Sequence, residues 1–234
     1  MGAALDLLAS LHAQASPEKA AVLGRFFRTG PGQYGEGDRF LGVTVPQVRA
    51  VEKLFRRSLT LDDVATLLAH EAHEARMAAL VHLVWRYRKA RGEDREAIFR
   101  FYLGHAKRID NWDLVDVSAP GIVGAHLVGG DASLLFELAQ STLLWERRIT
   151  VVATLAFIRA GRLDETFALS WRLRGDPHDL IHKACGWMLR EAGKRDEARL
   201  RAFLDANAPT LPRVTLRYAL ERLPAADRAR YLAM

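Results

Sequence analysis

The strongest constraint in this sequence is a recurrence. Arg76 in HEARMAALVHLVWRY, Trp112 in IDNWDLVDV, Arg148 in WERRITVVATLAF and Ala184 in IHKACGWMLRE stand at a constant step of about 36 residues. Each stretch is helical in pattern, with apolar residues recurring at three and four, as in Met77, Leu80, Val81, Val84 and Trp85. A polar or aromatic residue opens each one. A two-helix unit repeated at this interval cannot bury its apolar face alone and must stack on its neighbours, so the expected fold is an all-α solenoid. The register continues to Arg213 and Arg217 in LPRVTLRYALERL, which makes five repeats plausible. Breaks fall at short Gly, Pro or Asp clusters, giving about a dozen helices of roughly 10 to 17 residues. Strand-like alternation is almost absent. No linker divides the chain, so the reading is a single domain over 1–234, with capping helices over about 1–60 and two-helix repeats over about 61–234.

Composition narrows the function classes. Half of the 234 residues are hydrophobic, enough for a packed core and too many for disorder. No apolar run reaches the roughly 18 residues needed to span a bilayer, and MGAALDLLASLH has no basic segment before its apolar stretch. A soluble cytoplasmic protein is expected, without a membrane partner. The single cysteine, Cys185, allows neither an internal disulfide nor a cysteine-based metal cluster. His70 with His73, and His178 with His182, have helix-compatible spacing but form no HExxH array, so they read as surface or packing histidines. Neither a metal nor a cofactor is expected.

The formal net charge is +6, and only Lys19, Lys53, Lys89, Lys107, Lys183 and Lys194 among the cations are lysine. The guanidinium fork suits phosphate. Codon bias in a GC-rich genome gives the same composition, so position has to decide between the two.

On the helix from His178 to about Ala192, Ile181, Ala184, Cys185, Met188 and Ala192 share one face, which must be buried. Lys183, Trp187 and Arg190 fall opposite. A Trp away from the apolar stripe and bracketed by cations fits stacking against a nucleic acid, or else cover by another helix. In IDNWDLVDVSAP, Trp112 and Asp116 lie four apart on one face of a short helix begun at Asp110 or Asn111. Asp113 reads as a first-turn carboxylate that caps the helix or complements its dipole, without chemistry of its own. Asp116 is either a carboxylate in a cleft or a solubilising charge. Arg147 and Arg148 open a helix that is apolar almost all round, which places their guanidiniums at its exposed end for phosphate; one of the pair is expected to bind an acid instead. The glycine-rich loop from Gly30 to Asp38 carries Tyr34 but lacks the GK[ST] ending of a nucleotide loop. It either lets the backbone approach a phosphate chain or serves as a connection.

Four segments, RFFRTGPGQYGEGDRFLGVTVPQVR, NWDLVDVSAP, WERRITVVA and IHKACGWMLREAGK, resemble in order and spacing the AlkD-type DNA alkylation repair glycosylases, built from HEAT-like repeats. The resemblance covers about residues 15–220. It implies a C-shaped solenoid that binds duplex DNA in a basic concave face and hydrolyses the N-glycosylic bond of cationic N3- or N7-alkylated purines in base excision repair; a monomer is the simplest expectation for such a clamp. It also implies catalytic roles for Trp112, Asp116 and Trp187, and a phosphate contact for Arg148; Arg147, Lys183, Arg190, Arg213, Arg217, Phe26 and Tyr34 are expected as further DNA contacts. Phe26 stands where the family has a Tyr, leaving Tyr34 as the alternative source of a hydroxyl. Two other functions stay open: a non-catalytic binder of branched or distorted DNA, and a protein-binding scaffold.

Overall fold

The computed structural model describes residues 2–234, which are helical with no strand among them beyond an isolated bridge between Arg39 and Ala72. The chain forms two compact units, residues 1–118 and 119–234. Among the described residues no helix is long and apolar enough to cross a membrane.

The first unit contains α1 (Ala3–His12), α2 (Pro17–Phe26), α3 (Val45–Phe55), α4 (Leu61–Ala69), α5 (His73–Lys89), α6 (Gly92–Gly104) and α7 (Trp112–Ser118). Local chemistry starts these helices where the sequence changes character. Ser16 accepts the Lys19 N–H ahead of Pro17, and Thr60 and Asp63 cap α4 reciprocally. The helix α5 is the centre of this unit and is buried almost continuously from His73 to Val84. Helices α3, α4, α6 and α7 pack around it. Polar residues on such a helix must find partners inside the protein. Glu74 does so by accepting N–H groups of Leu41, Gly42 and Val43 at 2.9 to 3.1 Å, which hangs the irregular segment before α3 on α5. Gly42, at φ +81°, lies against the Ser16 carbonyl with no space for a Cβ.

The second unit contains α8 (Val123–Leu127), α9 (Ser133–Leu138), α10 (Leu144–Arg159), α11 (Asp164–Arg172), α12 (Asp179–Gly193), α13 (Glu197–Asn207), α14 (Arg213–Ala219) and α15 (Ala225–Ala233). The recurring positions Arg76, Trp112, Arg148 and Ala184 fall on α5, α7, α10 and α12, each the second member of a helix pair. Second helices pack side by side within each unit: α3, α5 and α7 in the first, α10, α12 and α14 in the second. This is the helical-repeat architecture that the periodicity predicts. Cys185 is buried as expected, and burial pushes its thiol up to about 12.

Several helices are shorter than the sequence reading expects. The second helix of the α6 pair stops at Ser118, passes through a 3-10 turn at Ala119–Gly121 and resumes as α8. Pro120 supplies the reason, because it has no N–H to donate and its ring crowds the carbonyl four residues earlier. The start of α7 agrees with the Asn111 alternative: Asn111 precedes Trp112, its side-chain oxygen accepts the Trp112 N–H at 2.8 Å, and its carbonyl accepts the Val115 N–H at 3.2 Å.

In the second unit the close approach of α12 to α14 depends on Gly186, where a Cβ would stand 2.5 Å from the Thr215 carbonyl oxygen and 2.6 Å from Tyr218 Cβ. Gly186→Ala is therefore expected to cost about 1–3 kcal/mol by forcing α14 off α12. A urea titration checks this, and an unchanged midpoint would show that the helices separate without cost.

Candidate functional site

In the first unit the site is built from the start of α7 downward. Trp112 and Asp116 lie one turn apart on α7, and both are half-buried. The Trp112 ring stacks on Phe27, with centroids 5.1 Å apart and planes at 20°, and meets the edge of Phe26 at 6.0 Å. Phe27 is buried, whereas Phe26 is 62% exposed. Phe27 stacks in turn on Phe40 at 4.9 Å, and Phe40 on the His73 imidazole at 4.4 Å. One face of Trp112 is thus backed by protein. Tyr34 sits half-buried in the glycine-rich loop.

Beneath this stack lies a buried charge network that sequence reasoning missed. His73, 3% exposed, binds Asp38 Oδ2 through Nδ1 at 2.7 Å and Asp113 Oδ2 through Nε2 at 2.9 Å. Arg76 pairs with Asp38 Oδ1 at 2.5 Å and with Asp110 at 3.2 Å, and its Nη1 donates to the carbonyls of His70 and Glu71. The Asn111 amide completes the shell of Asp38 at 2.9 Å. Burial alone would raise the Asp38 carboxyl, but hydrogen bonding and attraction from His73 and Arg76, with Asn111, hold it below its ordinary value. Burial would likewise lower His73; the hydrogen bonds and charges of Asp113 and Asp38 win and raise it to about 9. Asp110 is shifted upward, by burial first and by Asp38, against the pull of Arg76.

These distances correct two expectations drawn from the sequence. His73 is an internal cation rather than a surface or packing histidine, and Asp113 does more than cap its helix or complement the dipole. It accepts the Leu114 N–H at 2.9 Å with one oxygen and holds His73 with the other. The signal available in the sequence is the apolar periphery of α5: a histidine and an arginine on a helix with no solvent face must be matched by acids from other segments. The glycine-rich loop supplies one of them in Asp38.

Near Asp116, the Tyr102 hydroxyl meets Ser118 Oγ at 2.9 Å, and Ser118 Oγ donates to the Leu114 carbonyl at 2.5 Å. Burial raises the Tyr102 phenol, and the Asp116 charge adds to the rise.

In the second unit the arginines on α10 are held differently from the expectation. Arg147 donates Nε to Asp176 at 2.6 Å and Nη1 to the carbonyls of Ser141 and Thr142, so it binds an acid, as expected of one of the pair. Arg148 is only 5% exposed and donates Nη1 to the Leu180 carbonyl at 2.6 Å. Neither guanidinium stands at an exposed helix end. The reason is close packing: α12 lies against α10, and the Leu180 carbonyl in its first turn takes the Arg148 Nη1 donor.

On α12, Lys183, Trp187 and Arg190 are half-buried while the opposite residues are core. Trp187 lines a cleft of about 460 Å³ with Leu155, Ile158, Arg159 and Glu191, so it is neither fully covered by α10 nor free in solvent. Arg190 is engaged by Glu221, and by Glu191 at 3.6 Å. Arg213 and Arg217 are exposed on α14, with no ion pair among the described residues. Lys183, Arg213 and Arg217 therefore retain the donors that Arg147 and Arg190 have committed to carboxylates.

The His73 network predicts a pH dependence of stability. Its folded-state pKa lies above the ordinary 6.5, so its contribution is full below pH 6.5 and is lost as the pH rises to about 9. At 1.36 kcal/mol per unit this amounts to about 3 kcal/mol. Urea unfolding across that window reads it, and a His73→Gln variant is expected to lack the decline. Equal slopes in the two proteins would show that His73 is not charged.

Comparison with known proteins gives the context for these residues. No curated protein matches the chain in sequence. A solved structure of a predicted DNA alkylation repair enzyme from Enterococcus faecalis shares the fold, with a TM-score of 0.71 at 16% identity, covering 90% of this chain and 97% of that one. The family model of DNA alkylation repair enzymes matches residues 7–223. That span contains every residue of the buried network together with Trp112 and Trp187, and it establishes that the chain belongs to the DNA alkylation repair enzyme family.

Proposed function

We propose that this protein is a monofunctional DNA glycosylase that hydrolyses the N-glycosylic bond of cationic N3- or N7-alkylated purines in duplex DNA. The observation that carries the reading is the pair Trp112 and Asp116, one turn apart on a short helix whose start is fixed by buried charges, in a chain of the alkylation repair family.

The chemistry asks little of the protein. An alkylated purine already bears positive charge, so cleavage of the bond from C1′ to nitrogen returns the bonding electrons to the ring and releases a neutral base. No general acid is required. What remains is to stabilise the oxocarbenium-like sugar and to supply water. A carboxylate does both: Asp116 attracts the developing charge and takes the proton of the water whose oxygen bonds to C1′. The outer face of Trp112, backed by Phe27, offers a π surface to the sugar and the cationic lesion. In the second unit, Trp187 provides a second aromatic surface, and Lys183, Arg213 and Arg217 provide phosphate contacts. Arg147 is committed to Asp176, and Arg148 ties α10 to α12 through the Leu180 carbonyl.

Release of 7-methylguanine from a methylated duplex tests the proposal. Wild type is expected to release base, and Asp116→Asn to lower the single-turnover rate by at least a hundredfold with little change in duplex affinity. Retained duplex binding with no release by wild type would overturn the glycosylase and leave a structural DNA binder. The phosphate contacts are tested separately: Arg213→Ala with Arg217→Ala is expected to flatten the dependence of log K on log salt by about 0.9 for each phosphate that is no longer neutralised. An unchanged slope removes both arginines from the interface.

A further inference from the structure

The helix that carries Trp112 and Asp116 is only seven residues long, and Pro120 stops it from growing. A helix of that length has no stability of its own. Its orientation comes from the packing of buried Leu114 and Val115 against α5 together with side-chain ties, three of which lie at its first turn. Asn111 Nδ2 donates to Asp38 Oδ2 at 2.9 Å, Asn111 Oδ1 accepts the Trp112 N–H, and Asp113 Oδ2 holds His73 Nε2 at 2.9 Å. Of these, the His73 contact is the one that binds α7 directly to α5.

We propose, building on the glycosylase reading, that His73 is a positioning residue for base release: by bridging Asp38 and Asp113 it fixes the first turn of α7 and with it the placement of Trp112 and Asp116. Geometry assigns the role. Bridging two carboxylates requires an N–H on each ring nitrogen, which only the imidazolium has. Asp38 has two further donors, Arg76 and Asn111, and stays in place whatever His73 does. Asp113 has besides His73 only the Leu114 N–H, which belongs to its own helix. A neutral imidazole has one N–H for two carboxylates, so the bridge opens on one side; a ring that keeps its proton toward Asp38 releases Asp113 and leaves the first turn of α7 held on α5 by apolar packing and, through Asp110, by Arg76.

The groups facing His73 are few. Asp38 comes from the segment before α3, Asp113 from α7, and Phe27 and Phe40 cover the ring. Arg76, on the same helix, and Asp110 act through Asp38. With these partners His73 titrates near pH 9, above neutrality and below the range of most lysines and arginines.

The experiment has two readouts on the whole protein. In the first, single-turnover release of 7-methylguanine is followed from pH 7 to 10.5 with enzyme saturating. Wild type is expected to lose rate about tenfold per unit above pH 9. His73→Gln, which keeps a donor and an acceptor but does not titrate, is expected to be slower at pH 7 and flat above it. In Asp113→Asn, with one carboxylate fewer, the downturn is expected to move to lower pH; this variant decides the matter if His73→Gln fails to fold. A wild-type rate that is flat to pH 10.5 overturns the proposal, as does a downturn that His73→Gln retains.

The second readout does not depend on activity. In protein labelled with 5-fluorotryptophan, the Trp112 resonance, assigned with Trp112→Phe, is expected to shift with a midpoint near pH 9 and to stay fixed in His73→Gln. A Trp112 signal unmoved by pH, with the circular dichroism of a folded protein, overturns the positioning role whatever the enzyme does. A shift without base release at any pH retires the glycosylase and keeps the bridge.

Discussion

The burial of His73 and Arg76 on α5 is the constraint on which the first unit depends. Two cations removed from water cost several kcal/mol each unless acids with good geometry replace the solvent. The acids come from segments far apart in the chain: Asp38 from the glycine-rich loop, and Asp110 and Asp113 from the approach to α7 and its first turn. Satisfying the cations therefore sets the path of the loop and the beginning of α7 together. The same requirement accounts for the aromatic stack, since Phe27 and Phe40 shield the imidazole, and Phe27 then offers its ring to Trp112.

A parallel arrangement recurs about two repeats later. Arg76 donates Nη1 to carbonyls six and five residues upstream and pairs with Asp38; Arg147 donates Nη1 to Ser141 and Thr142, again six and five upstream, and pairs with Asp176. Other arginines clip one segment to another in a related way: Arg108 to the carbonyls at the end of α4, and Arg162 to Val128 and Gly130 after α8. These groups satisfy carbonyls that helix ends leave without partners. A sizeable part of the arginine excess thus holds the repeats together, so composition alone overstates the case for phosphate. Lys183, Arg213 and Arg217 are the cations among the expected contacts that the fold leaves available.

Asp113 and Asp116 show how one short helix separates two positions for the same side chain. Asp113, at the first turn, is held by an imidazolium and an amide, and its charge is consumed inside the protein. Asp116 lies nearly one turn further on, on the face that carries Trp112. The buried imidazolium therefore holds the first of the two carboxylates, and the second shares its helix face with Trp112.

Much of this was determined by the sequence. The step of about 36 residues, with the three-and-four spacing of apolar residues, specified paired helices, because no other packing buries such a pattern at that interval. The spacing of Trp112 and Asp116 put them on one face by helix geometry alone, and the polar arc of α12 was legible from Lys183, Trp187 and Arg190. The tertiary structure decided what depends on contacts distant in sequence. It paired His73 with Asp38, 35 residues earlier, and with Asp113, 40 residues later; it turned Arg148 inward under α12 and gave Arg190 to Glu221. A side chain's periodicity reports which face of its own helix it occupies. Which charge it meets there is settled only when another segment is packed against it, since the cost of desolvation falls on the pair and not on either residue alone.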